Sequence, residues 1–349
     1  MKLQILIPHC HEEAEVVKPL LDSIALQQQV DFSEIGVIIC HDGEDISNFE
    51  IATCYVDSHD AELPIYPFKI EQIHIPHAGV SAARNACLDH AVADYVCFCD
   101  CDDIFHNACG LWILFKEMDR GFDSLLSVFV EETRCPQDIP ENKQTGQPAM
   151  KKGEVMYINH ELDSTFVHGK VHRRGYLLEQ NIRFNDKLTI HEDSYFNILC
   201  QNLSTDVRYC VTPFYLWRWR DASVCRHDPK YMLKTYRNML DSNDALVDEF
   251  VRRGRQDKAF TYCGFMVFDA YYTMNKPEWI NQENKEYRDI TEKRFSAYYA
   301  KHKKLWNSIP TQDKMQISNG VRTRIVNEGM LMEAITIEDW LRRMEANAE

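Results

Sequence analysis

No apolar stretch in the 349 residues approaches the roughly 20 needed to cross a bilayer. Met1-Lys2 runs straight into a strand pattern, without the charged, apolar and small-residue regions of a signal peptide. The expectation is a protein that begins at or near Met1 and stays in the cytoplasm. The 13 cysteines include no C-x₂-C pair, which removes the usual zinc-binding spacings. Odd in number and set inside apolar runs, they read as small buried hydrophobes kept reduced. Cys97, Cys99 and Cys101 fall on one face of a strand, too widely spread to share a zinc ion. No G-x-G-x-x-G follows the first strand and no G-x-x-x-x-G-K-[ST] occurs, excluding a Rossmann dinucleotide site and a P-loop. Cationic residues are in deficit, 39 Lys and Arg against 54 Asp and Glu. The net charge of −15 argues against unspecific adhesion to nucleic acid or to an anionic membrane, though not against a local basic face. No internal repeat and no low-complexity segment is present.

What is there centres on Tyr95-Val-Cys-Phe-Cys-Asp100-Cys-Asp102-Asp103. Tyr95 to Cys99 read as a buried parallel strand, because β-branched, aromatic and Cys side chains run without a charge. Lys2 to Pro8, Ile35 to Cys40 and Phe68 to Ile75 read as further strands. Glu12 to Gln29 and Gly79 to His90 carry helical spacing between them. This order predicts an α/β fold with a mostly parallel sheet sandwiched by helices. Beyond it, His106 to Met118 read as helix, Ser124 to Val130 as strand, and Ser164 to Gln180 as a helix bearing Lys170, His172, Arg173 and Arg174. A helix follows from His191 to about Leu203, then a strand near Val207 to Val211. Arg134 to Gly153 lack apolar periodicity and read as a lid or binding loop. From Pro229 strand patterns give way to amphipathic helices (Tyr231 to Arg253, Lys258 to Met274, Asn281 to Lys304, Thr336 to Ala346). A boundary near residue 228 therefore separates an α/β domain, 1–228, from an all-helical C-terminal region, 229–349.

Ligands of open α/β sheets collect beyond the carboxyl ends of the strands. Asp100, Asp102 and Asp103 stand there. Three acids so close repel one another unless a cation lies among them, and hard oxygen ligands suit Mg²⁺ or Mn²⁺. The same acids also suit a turn capping the next helix. His227 reads either as a further metal ligand or as a structural histidine. Trp217 and Trp219 either line an acceptor site or pack.

Five elements in order, Ile7-Pro8, Cys40-His-Asp42-Gly43, Gly79-Val-Ser-Ala-Ala-Arg84-Asn85, Asp100-Cys-Asp102-Asp103 and Glu192-Asp193-Ser-Tyr-Phe196, make residues 1–228 resemble the family-2 glycosyltransferases. The resemblance implies a GT-A fold, a UDP-sugar donor, and a catalytic domain over 1–228 with a nucleotide-sugar half, 1–105, and an acceptor half, 106–228. By position, Pro8 and its successors form the wall behind the nucleotide base, with Cys10 where family members commonly have an aromatic. Asp42 resembles the acid that reads the uracil edge, and Arg84 the arginine near base and diphosphate. Asp100 resembles a ribose and sugar contact, and Asp102 the metal ligand, with Asp103 beside it. Asp193 resembles the general base, with Glu192 holding the acceptor or raising the pKa of Asp193 by like-charge proximity. Arg218, Arg220 and Ser223 resemble the stretch that closes over the diphosphate. Sugar transfer fits these residue types. A cation with an arginine clamp stabilises the departing diphosphate, and one carboxylate base on the opposite face gives inversion. Plainer readings stand beside these: Asp42 as an Asx-turn residue, Arg84 paired with Asp89 or Asp94 at the surface, and Asp193 as a first-turn helix acid.

For the acceptor, Lys293-Arg-Phe-Ser-Ala-Tyr-Tyr-Ala-Lys-His-Lys-Lys-Leu-Trp306 mixes cations with aromatics, and Arg252-Arg-Gly-Arg255 adds a basic cluster. Together they point to nucleic acid, as in tailed-phage glycosyltransferases that sugar a hydroxymethyl group of 5-hydroxymethylcytosine type in DNA; the plainer reading, which the overall acidity favours, is solvated helix faces with buried Tyr and Trp. The setting is then the host cytoplasm. The alternatives are a cell-surface polysaccharide or glycolipid acceptor and, more remotely, an inactive sugar-nucleotide-binding protein. A pyrophosphorylase of similar fold needs a Gly-rich, Arg- and Lys-bearing loop after the first strand, and Leu6 to His11 do not form one.

Overall fold

The structure, a computed structural model, describes residues 1–43, 54–56, 62–134, 151, 155–160, 165–220, 230–326 and 335–347. The chain divides into two compact units, Met1–Ser223 and Val224–Glu349.

The first unit opens with β1 (Leu3–His9), α1 (Ala14–Ala25) and β2 (Ile35–Asp42), followed by a small pair, β3 (Cys54–Val56) and β4 (Glu62–Pro64). Then come β5 (Lys69–Ile75), α2 (Val80–His90), β6 (Tyr95–Phe98), β7 (Ile104–Phe105), α3 (Gly110–Arg120), β8 (Ser124–Ser127), β9 (Phe129–Arg134) and β10 (Val155–His160). It ends with β11 (Lys170–Arg173), α4 (Arg174–Glu179), α5 (Glu192–Leu203), β12 (Val207–Cys210) and β13 (Tyr215–Trp217). The main sheet runs β12-β8-β11-β6-β1-β2-β5, and a second sheet runs β10-β9-β13-β7.

β1 is the pivot. Every one of its residues is buried, because both faces of a central parallel strand are covered. It pairs parallel with β2 from Leu3↔Ile35 to His9↔His41 and with β6 from Leu3↔Tyr95 to Leu6↔Phe98. That register brings the carboxyl ends of the three strands, at Pro8-His9, Cys40 to Asp42 and Phe98 to Asp100, to one edge of the sheet. Val17, Leu20, Leu21 and Ile24 of α1 seal one face, together with Cys97, Cys99 and Cys101. The alternating cysteines are thus core packing, and the ten cysteines whose side chains are described are all free thiols.

Ser164 to Gln180 are not one helix. Lys170–Arg173 form a strand lying antiparallel between β6 and β8, and only Arg174–Glu179 are helical. The polar letters mislead because this strand buries Lys170 and His172, with His172 Nδ1 placed 2.9 Å from the Ser124 hydroxyl. The expected strand from Ser124 to Val130 likewise splits: β8 joins the main sheet and β9 the smaller one. Of the loop Arg134 to Gly153, only Arg134 and Lys151 lie within the described residues.

The second unit holds α6 (Tyr231–Arg252), α7 (Gln256–Met274), α8 (Pro277–Ile280), α9 (Lys285–Ser308), α10 (Thr311–Val326) and α11 (Ile337–Ala346). The sequence reading missed α10, whose apolar positions are few. It packs over Gly264 of α7, where a Cβ would come within 2.8 Å of Ile317 Cδ1 and force that side chain to shift. Lys293 to Trp306 do not form the expected nucleic-acid face. Phe295, Tyr298, Tyr299 and Trp306 are core. Arg294 pairs with Asp241 and Asp244, Lys301 with Asp244 and Asp248, and Lys303 with Glu345. Arg252 and Arg253 hold Glu249, and Arg255 holds Asp257. Among the described residues no helix is long and apolar enough to cross a membrane.

Candidate active site

The site is assembled where β1, β2 and β6 end. Asp42, the last residue of β2, is almost fully buried. Its carboxylate accepts the backbone N–H of Ala78 at 2.6 Å and of Gly79 at 2.9 Å, at the start of α2. Gly79 has φ +92°, which a residue with a side chain rarely adopts. The two N–H groups belong to a helix start that favours negative charge, and they fix the orientation of the Asp42 carboxylate. Pro8 pairs with Cys40 on the neighbouring strand. Two residues on, Cys10 donates its thiol to the Asp42 carbonyl at 3.4 Å.

Arg84, on the buried face of α2, is the hub. Its Nη1 lies 2.8 Å from Glu192 and its Nη2 2.9 Å from Asp100, and its guanidinium sits 5.2 Å from the Phe184 ring centroid. The surface pairing with Asp89 or Asp94 is therefore not what this arginine does; Asp89 pairs with Arg183 instead. Burial alone raises the Asp100 carboxyl, but Arg84 and His168 overrule it and hold the group well below the usual carboxylate range. Sequence positions 84, 100 and 192 thus meet as one charged cluster.

The three acids after β6 occupy three environments. Asp103 is buried and accepts the Tyr215 hydroxyl at 2.5 Å and the Arg218 backbone N–H at 2.9 Å. Tyr215 in turn accepts the Asp100 N–H at 3.2 Å, so the acid turn and the end of β13 are locked together. Burial, then Asp102 and Asp100, push the Asp103 carboxyl well up. Asp102 is more open and pairs with Arg220 at 2.8 Å; burial and then Asp100 raise its pKa against that arginine. Arg220 also lies 3.8 Å from Glu12. Tyr215→Phe should cost about 1–3 kcal/mol in denaturant unfolding, because it leaves a buried carboxylate oxygen short of its donor. A change under about 0.5 kcal/mol would show that Asp103 is held otherwise.

His168 is the site residue that sequence reasoning missed. Its Nε2 lies 3.5 Å from Asp100 and 3.8 Å from Asp103, and its ring stacks on Tyr215 and Phe166. Its Nδ1 is buried and, among the described residues, has no hydrogen-bond partner. Asp100, Asp103 and His168 each present a ligand atom within 4.8 Å of the others, a set able to hold a metal ion. Nothing in Phe166-Val-His168-Gly marks this histidine; only the antiparallel insertion of β11 carries it to the acids.

Glu192 and Asp193 open α5. The preceding His191 has φ +65°, a left-handed conformation uncommon outside glycine, though histidine is among the residues enriched there. Glu192 is bound to Arg84, whereas Asp193, among the described residues, accepts the adjacent Ser194 N–H at 2.7 Å. Burial, then the Glu192 charge, push Asp193 up to about 7, with Arg84 opposing. Asp193 is thus a first-turn helix acid and also a carboxyl poised near neutrality. Trp217 packs against His168 and Phe166, as the packing alternative had it. Ser223 and His227 lie outside the described residues.

Comparison with known proteins adds the following. The chain is 24% identical over 227 residues to the uncharacterized glycosyltransferase EpsJ of Bacillus subtilis (strain 168), covering 64% of this chain and 62% of EpsJ. It is 45% identical over 40 residues to the succinoglycan biosynthesis protein ExoM of Rhizobium meliloti (strain 1021), which is 12% of this chain and 13% of ExoM. The chain spans less than two thirds of the length of the curated relatives it matches. Its fold is similar to the crystal structure of S. aureus TarS 1–349, at TM-score 0.57 and 14% identity over 93% of this chain and 92% of that one. Residues 4–179, just over half of the sequence, match the family described as Glycosyl transferase family 2. The chain belongs to glycosyltransferase family 2 and has its GT-A architecture.

Proposed function

We propose that this chain is an inverting glycosyltransferase that moves a sugar from a UDP-sugar to a carbohydrate hydroxyl, with a divalent cation at the acid turn. The observation that carries the reading is Asp193: a carboxyl held near pKa 7, beside an arginine-tied cluster that includes Asp100. A general base works best when its pKa lies near the working pH, and an ordinary aspartate at about 3.9 is too weak a base for an alcohol. Asp193 takes the acceptor proton as the hydroxyl oxygen bonds to the anomeric carbon and the bond to the diphosphate breaks. Burial, and then the Glu192 charge, keep Asp193 in its raised state against the opposing Arg84.

The residues at the acid turn fit Mn²⁺ or Mg²⁺. Asp102 and Asp103 are both raised by burial and then by like charge, the part a cation relieves, and carboxylate oxygens are hard donors. Asp102 holds the ion with Asp100, Asp103 and His168 adjacent; the ion, when bound, stabilises the negative charge of the leaving diphosphate. Arg218 and Arg220 flank that charge, and the family resemblance assigns Ser223 to the same role. Pro8 and Asp42 receive the uracil. Residues 1–105 serve the donor and 106–228 the acceptor, and the free thiols accord with a cytoplasmic setting.

For the acceptor we take the glycan over hydroxymethylated phage DNA. The helical stretch that favoured DNA has Phe295, Tyr298, Tyr299 and Trp306 in the core and Arg294, Lys301 and Lys303 paired with acids, and the net charge is −15. The relative ExoM is named for the biosynthesis of a glycan. The test offers radiolabelled UDP-sugars, with Mn²⁺ or Mg²⁺, to lipid-linked glycans, hydroxymethylated DNA and plain DNA. Label is expected in glycan alone, and a chelator should abolish it. Label in hydroxymethylated DNA reverses the acceptor assignment, and label in none removes the transferase reading. In calorimetry, Asp102→Ala should remove the metal-dependent part of UDP binding; unchanged metal dependence takes the ion away from Asp102.

A further inference from the structure

A second group of metal-ligating atoms lies outside the acid turn. Cys10, Asp42 and His77 come from three segments, the chain after β1, the end of β2 and the loop before α2, and present one ligand atom each within 4.8 Å of one another. His77 Nδ1 lies 3.1 Å from Asp42 Oδ2 and 3.9 Å from Cys10 Sγ. Tetrahedral zinc with bonds of about 2.0–2.3 Å sets its ligand atoms roughly 3.3–3.6 Å apart. Those two separations bracket that range, so small side-chain rotations close the site.

The donor set selects the ion. Sulfur, imidazole nitrogen and one carboxylate oxygen suit Zn²⁺, whereas the oxygen-rich acid turn suits Mn²⁺ or Mg²⁺. The surroundings are those of a ligand site. The Ala78 and Gly79 N–H groups orient the Asp42 carboxylate, as outer-shell donors do for metal-bound carboxylates. His77 is 67% exposed, which gives an ion an entry path and leaves a coordination position for water.

We propose that Cys10, Asp42 and His77 form a Zn²⁺ site that blocks the donor nucleotide. The block rests on the reading of Asp42 as the group that meets the base: an Asp42 bound to zinc cannot also accept the uracil N–H. Zinc and UDP then exclude one another, while Mn²⁺ at the acid turn assists UDP. The site would make donor binding sensitive to free zinc without any movement of the acid turn.

The test uses the full chain freed of metal by chelation, with Co²⁺ as a spectroscopic stand-in for Zn²⁺. One equivalent of Co²⁺ should bring a near-ultraviolet thiolate charge-transfer band and the visible bands of tetrahedral cobalt, both reversed by Zn²⁺. Cys10→Ser should abolish the charge-transfer band, and His77→Ala should weaken Co²⁺ binding at least tenfold. Both variants are checked by far-ultraviolet circular dichroism. Saturating UDP with Mg²⁺ should raise the apparent Co²⁺ dissociation constant at least tenfold. The absence of a thiolate band, or a band that persists in Cys10→Ser, overturns the site. A band untouched by bound UDP overturns the block. Failure of UDP to bind at all counts against the transferase reading, and the cobalt titration of the two variants then still decides the zinc site.

Discussion

Asp193→Asn should lower turnover by about 10²–10⁴, the usual contribution of a general base, while UDP affinity stays unchanged. Asparagine keeps the shape and the Ser194 contact but cannot take a proton. In the parent the rate should rise with pH and level off above about 7, where Asp193 is ionised. In the variant that limb should vanish. The stability consequence has the opposite sign. Asp193 titrates near 7 in the folded state and near 3.9 unfolded, so the folded chain holds a proton that the unfolded chain has released. Its contribution therefore turns unfavourable as pH climbs from about 4, and the penalty is complete above 7. Asp193→Asn should consequently melt higher than the parent at pH 8 and match it at pH 4. A near-normal rate with an intact pH limb would remove Asp193 from the chemistry, and an unchanged melting difference between the two pH values would show its carboxyl is not raised.

Arg84→Met should destabilise the first unit by about 3–5 kcal/mol, the range for removing one partner from a buried ionic cluster. The loss arises because Asp100 and Glu192 lose their shared cation, not because the interaction was worth that much net. Adding Glu192→Gln to Arg84→Met should therefore recover part of the loss, a non-additivity that two independent defects would not show. Arg84 is a positioning residue, and its pH signature separates that role from mere support. It is the cation that restrains the rise of Asp193, so the rate limb should move to higher pH in Arg84→Met. Additive losses, or a limb that stays put, would mean that the cluster is not coupled as described.

The parallel sheet and the position of the acid turn were legible in the sequence because buried central strands are written in unbroken apolar letters. β1, β2 and β6 are such runs, and each ends in the polar residues that form the site. Lys170–Arg173 was illegible for the converse reason. A strand that buries a lysine and a histidine, with Ser124 as partner, looks like the exposed face of a helix until its neighbours are known. The basic and aromatic letters of α9 misled in the same way, since composition does not say which face is buried or which acids lie across the helix interface.

The chain's own letters determined which strands are central, which turns carry acid, and which acid opens α5, since each follows from local periodicity and chemistry. Only the tertiary structure decided what those charges do to one another: that Arg84 joins Asp100 to Glu192, that Asp103 is committed to Tyr215 and Arg218, and that His168 faces the acids. Electrostatic coupling depends on separations of a few ångströms and on exclusion of water, and residues up to 115 positions apart acquire both only when the sheet closes.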